Sequence, residues 1–191
     1  LMYITIEINE GRKYLVGQTK IIGAVKFKEA ELKKSLTMKG GSTFSQEGLR
    51  EDVFNLQQFY YDRGYMDADI DADTILNEKT GDIDIAYTIT EADLIYIDKI
   101  KIRGNTKTKD IVIRRELRVY PAEKFDGAKL RKSKERLYNL GFFEDVSFDT
   151  EPSELPNSKN LLVDVKEAKT GEFSFGGGYS SVDKIVGFVD V

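Results

Sequence analysis

An internal repeat limits the folds that this 191-residue sequence can adopt. Lys20-Ile21-Ile22-Gly23 matches Lys101-Ile102-Arg103-Gly104 at an offset of 81 positions, and the same offset aligns further apolar residues. The aligned pairs are Leu32 and Ile113, Leu36 and Leu117, Phe44 and Phe125, Leu49 and Leu130, and Leu56 and Leu137. Because one offset aligns all of these pairs, the sequence contains two copies of one folding unit of roughly 80 residues. Gly64 and Gly141 are 77 positions apart, so we expect the second copy's long helix to be about one turn shorter.

Hydrophobic periodicity predicts the same elements in both copies. Leu49, Val53, Leu56 and Tyr60 form one apolar stripe of an amphipathic helix. The predicted order is β-α-α-β-β, an α+β fold in which two helices cover one face of a three-stranded sheet. The predicted bounds are strand 14–23, helices 28–36 and 46–63, and strands 65–74 and 83–91 in the first copy, with strands 142–149 and 160–167 in the second.

Residues at the ends of the long helices support these bounds. Ser45 has the side chain of an N-cap, and Phe44 before it can pack on Leu49 as a hydrophobic staple. Gly64 and Gly141 stand where a helix ends in a left-handed residue, a conformation that favours glycine.

The repeat also predicts the domain organisation. Residues 11–91 form the first complete copy and residues 92–170 the second. Residues 1–10 contain Ile6-Glu7-Ile8, which resembles the strand that closes each copy, and are predicted to be the last strand of a preceding copy. From Gly171 the composition changes, so residues 171–191 are predicted to form a separate element.

The segment 171–181 alternates between aromatic residues and serine or glycine. Phe173, Phe175 and Tyr179 fall on one face of a strand, opposite a face of small residues. This pattern is typical of a transmembrane β-barrel strand, and an ordinary edge hairpin fits it equally well. The span 184–191 is predicted to be the returning strand.

Composition excludes many catalytic mechanisms. The sequence has no His and no Cys, so it contains no Ser-His-Asp triad, no histidine metalloprotease site, no thiol nucleophile, no zinc knuckle and no disulfide. An enzyme using carboxylates, Lys or Tyr stays open, but no such cluster stands out in the sequence. We therefore predict a protein that is not an enzyme.

Four aspartates alternate with small or apolar residues in one predicted strand: Asp67, Asp69, Asp71 and Asp73. A calcium site is one interpretation, but the glycine and distal glutamate of an EF-hand loop are missing. On a strand all four carboxylates share one face. The favoured interpretation is a solvated edge whose charges prevent sheet-to-sheet aggregation.

The span 99–136 carries 14 Lys and Arg against 5 Asp and Glu. Such a density of positive charge is typical of nucleic-acid binding. However, much of the charge lies on predicted helices with a solvent face, and no aromatic residues are interleaved for stacking on single strands. A solvated or partner-binding face is therefore favoured.

The edges of small sheets form a third candidate surface. A three-stranded sheet has two edges, and each can accept an extended chain through backbone hydrogen bonds. The unavoidable edges of any small sheet are the simpler interpretation. The edge candidates are Tyr65, Asp67, Asp69 and Asp71 in the first copy, and Phe143, Asp145 and Ser147 in the second.

Two segments of the second copy carry a family resemblance. Residues 102–117 read IRGNTKTKDIVIRREL, and residues 137–146 read LYNLGFFEDV. With the β-α-α-β-β order, they resemble the polypeptide-transport-associated (POTRA) domains of outer-membrane β-barrel insertases. The resemblance covers nearly the whole chain. It implies that residues 11–91 are a fourth-like and residues 92–170 a fifth-like POTRA domain, and that residues 171–191 begin a truncated transmembrane β-barrel.

The resemblance implies a function in outer-membrane protein assembly. Domains of this family lie in the periplasm, receive unfolded outer-membrane proteins and bind accessory lipoproteins, beside a barrel in the outer membrane. The acidic residue of the family's Arg-Arg-Glu motif contacts a BamD-type lipoprotein, a role that carries over to Glu116. Arg114, Arg115 and Arg118 are weaker candidates for the same contact. Other lipoproteins of the assembly complex are further implied partners, and the resemblance implies no metal or other cofactor.

Two alternatives remain open on the sequence. One is the POTRA region of a TamA-like or two-partner secretion transporter, which would share the fold and differ in its partners. The other, from a different class, is a nucleic-acid-binding repeat protein that uses the basic span 99–136, for which a steep loss of binding with salt would be diagnostic.

Overall fold

A computed structural model describes residues 12–169, 174–180 and 184–190. The chain divides near Ile95 into two compact units, each with its own three-stranded sheet. We call them the first and the second unit. No helix in the described part of the chain is long and apolar enough to cross a membrane.

The first unit has the predicted β-α-α-β-β order. β3 is the central strand, with β1 parallel on one side and β2 antiparallel on the other. The elements are β1 (Val16–Ile22), α1 (Glu29–Leu32), which continues as a 3-10 turn (Lys33–Ser35), α2 (Gln46–Tyr61), β2 (Asp69–Leu76) and β3 (Ile83–Thr90).

The second unit repeats this arrangement. β6 is central, flanked by parallel β4 and antiparallel β5. The elements are β4 (Tyr96–Arg103), α3 (Asp110–Arg114), α4 (Gly127–Asn139), β5 (Phe143–Pro152) and β6 (Ser158–Glu167), followed by an antiparallel pair, β7 (Ser174–Ser180) and β8 (Lys184–Asp190). α4 has 13 residues against 16 in α2, as the shorter offset of the second copy predicts.

The core of the first unit lies between α2 and the helix-facing side of β3. The predicted stripe on α2 packs inward, since Leu49, Leu56 and Tyr60 are buried and Val53 is partly buried against them. Burying one large apolar side chain contributes about 1.5–3 kcal/mol, so this stripe fixes the helix on the sheet. Ser45 caps α2 as predicted, because its hydroxyl accepts the N–H of Gly48 at 3.0 Å.

β2 begins at Asp69, four residues later than predicted, so Tyr65 and Asp67 precede the strand. The reason is the way α2 ends. The N–H of Tyr65 donates to the C=O of Tyr60 and that of Gly64 to the C=O of Tyr61, which is a Schellman motif around Gly64 at φ +95°. The ring of Tyr65 packs edge-on against Tyr60, so this residue belongs to the helix end.

Candidate functional site

The acidic residues of β2 lie on one exposed face of the strand. Asp69, Asp71 and Asp73 are exposed, whereas Ile70 between them is buried and Ala72 partly buried. The predicted alternation is therefore confirmed within the strand. Among the described residues, no group of three or more acidic side chains could hold a metal ion.

The three edge candidates of the second unit lie on β5 but differ in their surroundings. Phe143 is buried, and Ser147 is exposed. The carboxylate of Asp145 accepts hydrogen bonds from the hydroxyl of Tyr138 at 2.7 Å and from the N–H of Val146 at 2.9 Å. These two hydrogen bonds hold the pKa of Asp145 below its usual value. Asp145 is thus engaged by its own unit.

Glu116 lies between two arginines of the second unit. Its carboxylate accepts hydrogen bonds from Arg136 on α4 at 2.7 and 2.8 Å, and Arg115 approaches it to 3.3 Å. The hydrogen bond from Arg136 lowers the pKa of Glu116, and only 14% of the side chain is exposed. The structure therefore brings Glu116 and Arg115 together and adds Arg136, which the sequence did not single out.

The other two arginine candidates do not join this cluster. The guanidinium of Arg114 donates to the C=O of Ile100 at 3.1 Å and lies 3.9 Å from Asp110. Arg118 is exposed, and its backbone N–H donates to the hydroxyl of Ser133. Arg114 and Arg118 thus lie outside the cluster around Glu116.

A buried polar residue at the same position of each repeat escaped the sequence reasoning. Asp52 on α2 is fully buried, and its carboxylate accepts from the N–H and hydroxyl of Thr37, the N–H of Met38 and the hydroxyl of Tyr87. Burial and the hydrogen bond to Asp52 raise the pKa of Tyr87. Ser133, 81 positions after Asp52, is also fully buried and accepts the N–H of Arg118. The offset of 81 positions between the two copies is the sequence signal that could have identified this pair.

A carboxylate at the end of the central strand holds the loop after the first strand in both units. Glu167 accepts from the hydroxyl of Thr106 at 2.7 Å and from the N–H groups of Lys107 and Thr108 at 3.0 and 2.6 Å. The Thr106 hydroxyl and the Thr108 N–H do most to lower the pKa of Glu167 to about 2.

Glu91 has the corresponding role in the first unit. It accepts from the N–H groups of Val25 and Lys26 at 3.1 and 2.9 Å and from the hydroxyl of Tyr60 at 2.8 Å. Burial raises the pKa of Glu91, but the hydrogen bonds from Lys26, Tyr60 and Val25 outweigh it, so the net shift is downward. Glu91 and Glu167 each hold a loop of their own unit in place.

The geometry above matches a known family. The model of the POTRA family, described as a surface antigen variable number repeat, matches residues 14–92 and 95–168. The chain belongs to the POTRA family. Both matches are complete repeats, and the mixed α+β fold with three-stranded sheets confirms the resemblance seen in the sequence.

Its relatives are outer membrane protein assembly factors. The chain is 33% identical over 178 residues to BamA of Neisseria meningitidis serogroup B, covering 92% of this chain and 22% of the relative. It is 31% identical over 182 residues to BamA of Nitratidesulfovibrio vulgaris, covering 93% of this chain and 23% of the relative. The chain thus spans less than a quarter of the length of these curated relatives.

Solved structures show the same fold. The structure of BamA from Haemophilus ducreyi lacking POTRA domains 1–3 matches with a TM-score of 0.73 and 28% identity, over 90% of this chain and 33% of that one. The structure of Haemophilus influenzae BamA POTRA3-5 matches with a TM-score of 0.74, over 83% of this chain and 63% of that one. Because its sequence identity is 23%, the match to the Haemophilus influenzae structure supports a shared fold and nothing more.

Proposed function

We propose that this chain is the periplasmic part of an outer-membrane protein assembly factor, without catalytic activity of its own. The supporting observation is the match of both repeats to the POTRA family, together with BamA relatives that align over more than nine-tenths of the chain. In this proposal, residues 11–91 and 92–170 are two POTRA domains in the periplasm. Residues 1–10 end a preceding domain, and residues 171–191 lead into a barrel in the outer membrane.

The first proposed activity is the binding of unfolded β-barrel substrates. Each three-stranded sheet has edge strands, and an extended chain can add to an edge by main-chain hydrogen bonds that are largely independent of its sequence. Such binding suits a protein that must accept many different strands before they are inserted. The edge residues Asp69, Asp71 and Ser147 are exposed, which leaves them accessible to an added strand.

The second proposed activity is the docking of an accessory lipoprotein of the BamD type on the second unit. The residues 92–170 carry 17 Lys and Arg against 14 Asp and Glu, whereas residues 12–91 carry 11 against 14. Glu116 and the exposed Arg115 beside it would provide the contact, with Arg114 and Arg118, which are also exposed on this unit, as further candidates. Because Glu116 already binds Arg136, an arginine of the partner would have to share or replace that ion pair.

A binding titration tests this proposal. The 191-residue chain is titrated with the BamD-type lipoprotein of the same organism and, separately, with an outer-membrane β-barrel protein diluted from urea. We expect saturable binding of both, and weaker lipoprotein binding for Glu116→Lys and Arg118→Glu. Lys20→Glu, an equal change of charge on an exposed residue of the first unit, is the control, and circular dichroism checks that each variant is folded.

Each outcome assigns the function differently. Docking on the second unit is supported if Arg118→Glu and Glu116→Lys weaken lipoprotein binding and Lys20→Glu leaves it unchanged. Equal binding by all variants would keep the assembly function and reject these residues. Binding of neither ligand by the wild type would reject the proposal and favour a POTRA transporter of the secretion type.

A further inference from the structure

One position of the repeat is aromatic in the first unit and holds a small polar residue in the second. Phe27 and Thr108 are 81 positions apart, which is the offset that aligns the two copies. The residues after them, Lys28 and Lys109, are the N-cap residues of α1 and α3, with φ and ψ of −71° and 137° in one and of −69° and 143° in the other. Phe27 and Thr108 therefore hold the same position of the fold.

Phe27 lies among aromatic side chains of its own unit. Its ring centroid is 5.1 Å from that of Phe59, 5.2 Å from that of Tyr60 and 5.6 Å from that of Tyr65, and all three pairs meet edge to face. This geometry is a preferred one for aromatic pairs and adds to the free energy gained by burying the rings. The first unit thus fills this place with a phenylalanine of its own.

The second unit lacks the helical turn that supplies two of these rings. Phe59 and Tyr60 lie in the last turn of α2. At the offset of 81 positions their counterparts are Leu140 and Gly141, beyond the end of α4 at Asn139. Because the loop position also holds threonine in place of phenylalanine, three aromatic rings of the first unit are not matched by aromatic residues at these positions of the second.

An open cavity lies at this place in the second unit. Its volume is about 370 Å³, and its lining includes Thr108, Val112, Phe142 and Ala168. An apolar cavity of about 150 Å³ is enough to bind benzene, so this cavity has room for an aromatic side chain. None of the described residues that line it lies on an edge strand or in the cluster around Glu116.

Phe142 is exposed at a position where the first unit packs its aromatic residue. It follows Gly141 as Tyr65 follows Gly64, so the two aromatic residues occupy the same position of the repeat. Tyr65 is partly buried and its ring contacts that of Phe27, whereas 42% of Phe142 is exposed. The ring of Phe142 is therefore open to an edge-to-face contact with a further aromatic ring.

Two lysines give the cavity a positive charge. Lys107 and Lys109 line it and are exposed, and neither forms an ion pair with another described residue. Lys26, the counterpart of Lys107, is instead engaged by its own unit, since its Nζ donates to the C=O of Ala92 at 2.5 Å. The acidic lining residue, Glu167, already accepts hydrogen bonds from its own loop. The two free cations therefore favour acidic groups on whatever enters the cavity.

We propose that this cavity of the second unit receives an aromatic side chain of a partner protein, from a segment in which acidic residues flank the aromatic one. The ring takes the place that Phe27 fills in the first unit and meets Phe142 edge to face, and the acidic residues pair with Lys107 and Lys109. This inference goes beyond the proposed function, because the site uses neither a sheet edge nor Glu116.

Three designed peptides test the inference on the 191-residue chain. The first has the sequence glycine, aspartate, phenylalanine, aspartate, glycine, the second has alanine for phenylalanine, and the third has lysine for both aspartates. Titration followed by amide NMR shifts gives the affinity and locates the site. We expect the first peptide to bind at least about tenfold more tightly than either of the others, because the second loses the buried ring and the third the charge attraction. We expect its shifts to concentrate in residues 107–112, 142 and 167–168.

Two variants test the cavity itself. Thr108→Phe gives the second unit the phenylalanine of the first, so its own ring should fill the cavity and weaken binding of the first peptide at least about tenfold. Phe142→Ala removes a wall of the cavity and should also weaken this binding, while the fold is kept because this side chain is already exposed. Circular dichroism checks that both variants are folded.

A charge change tests the two lysines. Lys107→Glu together with Lys109→Glu should shift the preference from the aspartate peptide to the lysine peptide. The control, Lys124→Glu together with Lys132→Glu, makes the same charge change at exposed residues of the second unit that do not line the cavity, and it should keep the preference.

The inference is overturned by equal binding of the phenylalanine and alanine peptides, by shifts outside the cavity, or by unchanged binding in both Thr108→Phe and Phe142→Ala. An equal loss of preference in the control double variant also overturns it, as does a wild type that binds none of the peptides.

Phe173 of this chain, which lies outside the described residues, is the rival occupant. Binding of the first peptide by Phe173→Ala and not by the wild type would assign the cavity to this residue and overturn the inference of a partner. The proposed function is tested with other ligands, the lipoprotein and the unfolded β-barrel protein, so it still holds if these bind and the peptides do not.

Discussion

Asp52 is a fully buried carboxylate, and its hydrogen bonds explain why the core tolerates it. Burying a charged group is costly unless it is hydrogen-bonded. Two N–H groups of the segment after the first helix, at Thr37 and Met38, and the hydroxyl of Tyr87 on β3 point at this carboxylate. Asp52 therefore joins a loop, a helix and the central strand at one point.

Replacing Asp52 with Asn should destabilise the first unit by about 2–4 kcal/mol, because an amide NH2 would face donors and leave a buried group unpaired. Chemical denaturation measures the change in the free energy of unfolding. Glu51→Gln, at the exposed neighbouring position, is the control and should change stability by less than about 0.5 kcal/mol. Equal effects of the two changes would contradict the role given to Asp52.

Glu167 makes the stability of the second unit depend on pH. Its pKa is lowered to about 2 in the folded protein from an ordinary value near 4.5. The ionised carboxylate therefore stabilises the folded state fully above about pH 5, and this contribution is lost as the pH falls from there towards 2. Its hydrogen bonds hold the loop that contains Thr106 and Thr108.

We expect Glu167→Gln to lower the melting temperature at pH 7 and to flatten its dependence on pH between 5 and 2. Thermal denaturation followed by circular dichroism over this range gives both quantities. Glu144→Gln serves as the control, because Glu144 makes an exposed ion pair with Lys166, a type of contact that contributes little. An unchanged pH profile in Glu167→Gln would show that the hydrogen bonds of Glu167 contribute nothing to folding.

At the scale of elements, a glycine after the first strand lets the chain pass close to the central strand in both units. Gly23 and Gly104 have φ of +86° and +85°. A Cβ at Gly23 would collide with the carbonyl oxygen of Ile89, and one at Gly104 with that of Val165. The contact is with backbone, which cannot move aside without breaking the sheet.

Gly23→Ala should therefore cost more stability than Gly81→Ala, which is a matched control in the same unit. Gly81 also has a positive φ, +78°, but a Cβ there would meet nothing within 4 Å. We expect about 1–2 kcal/mol for Gly81→Ala from backbone strain alone, and about 3 kcal/mol or more for Gly23→Ala. Urea denaturation of the two variants compares them. A similar cost for both would mean that the sheet gives way to the added methyl group.

At the scale of the whole molecule, the positive charge of the span 99–136 is partly neutralised by the fold. Arg136 and Arg115 pair with Glu116, and Lys101 and Arg103 pair with Glu151. The formal net charge of the chain is −4. Nucleic-acid binding needs a positive field that attracts phosphates, and acidic side chains among the cations weaken it.

We therefore expect the chain not to bind a labelled 20-nucleotide single strand or duplex at 150 mM salt, as measured by fluorescence anisotropy. A DNA-binding protein of known affinity, run in parallel, is the positive control. Micromolar binding with a steep loss at higher salt would instead support the nucleic-acid-binding alternative.

The sequence alone determined the repeat, the order of the elements and the family. These follow from local signals: apolar stripes such as Leu49 to Tyr60, the cap at Ser45 and the glycine at position 64 act within one or two helical turns, so they can be read without knowing the fold. Because the two copies align at an offset of 81 positions, the elements predicted in one copy could also be predicted in the other.

The tertiary structure decided which charged side chains and backbone groups make hydrogen bonds or ion pairs within the fold. Glu116, a predicted partner contact, lies beside Arg136 of α4, and Glu167 accepts hydrogen bonds from a loop about 60 positions earlier in the chain. The pairing of β2 with β3 is regular, whereas β1, β4 and β5 each pair with a register shift, and these differences too belong to the folded sheets. Such pairings depend on distances between residues far apart in sequence, and folding alone sets those distances.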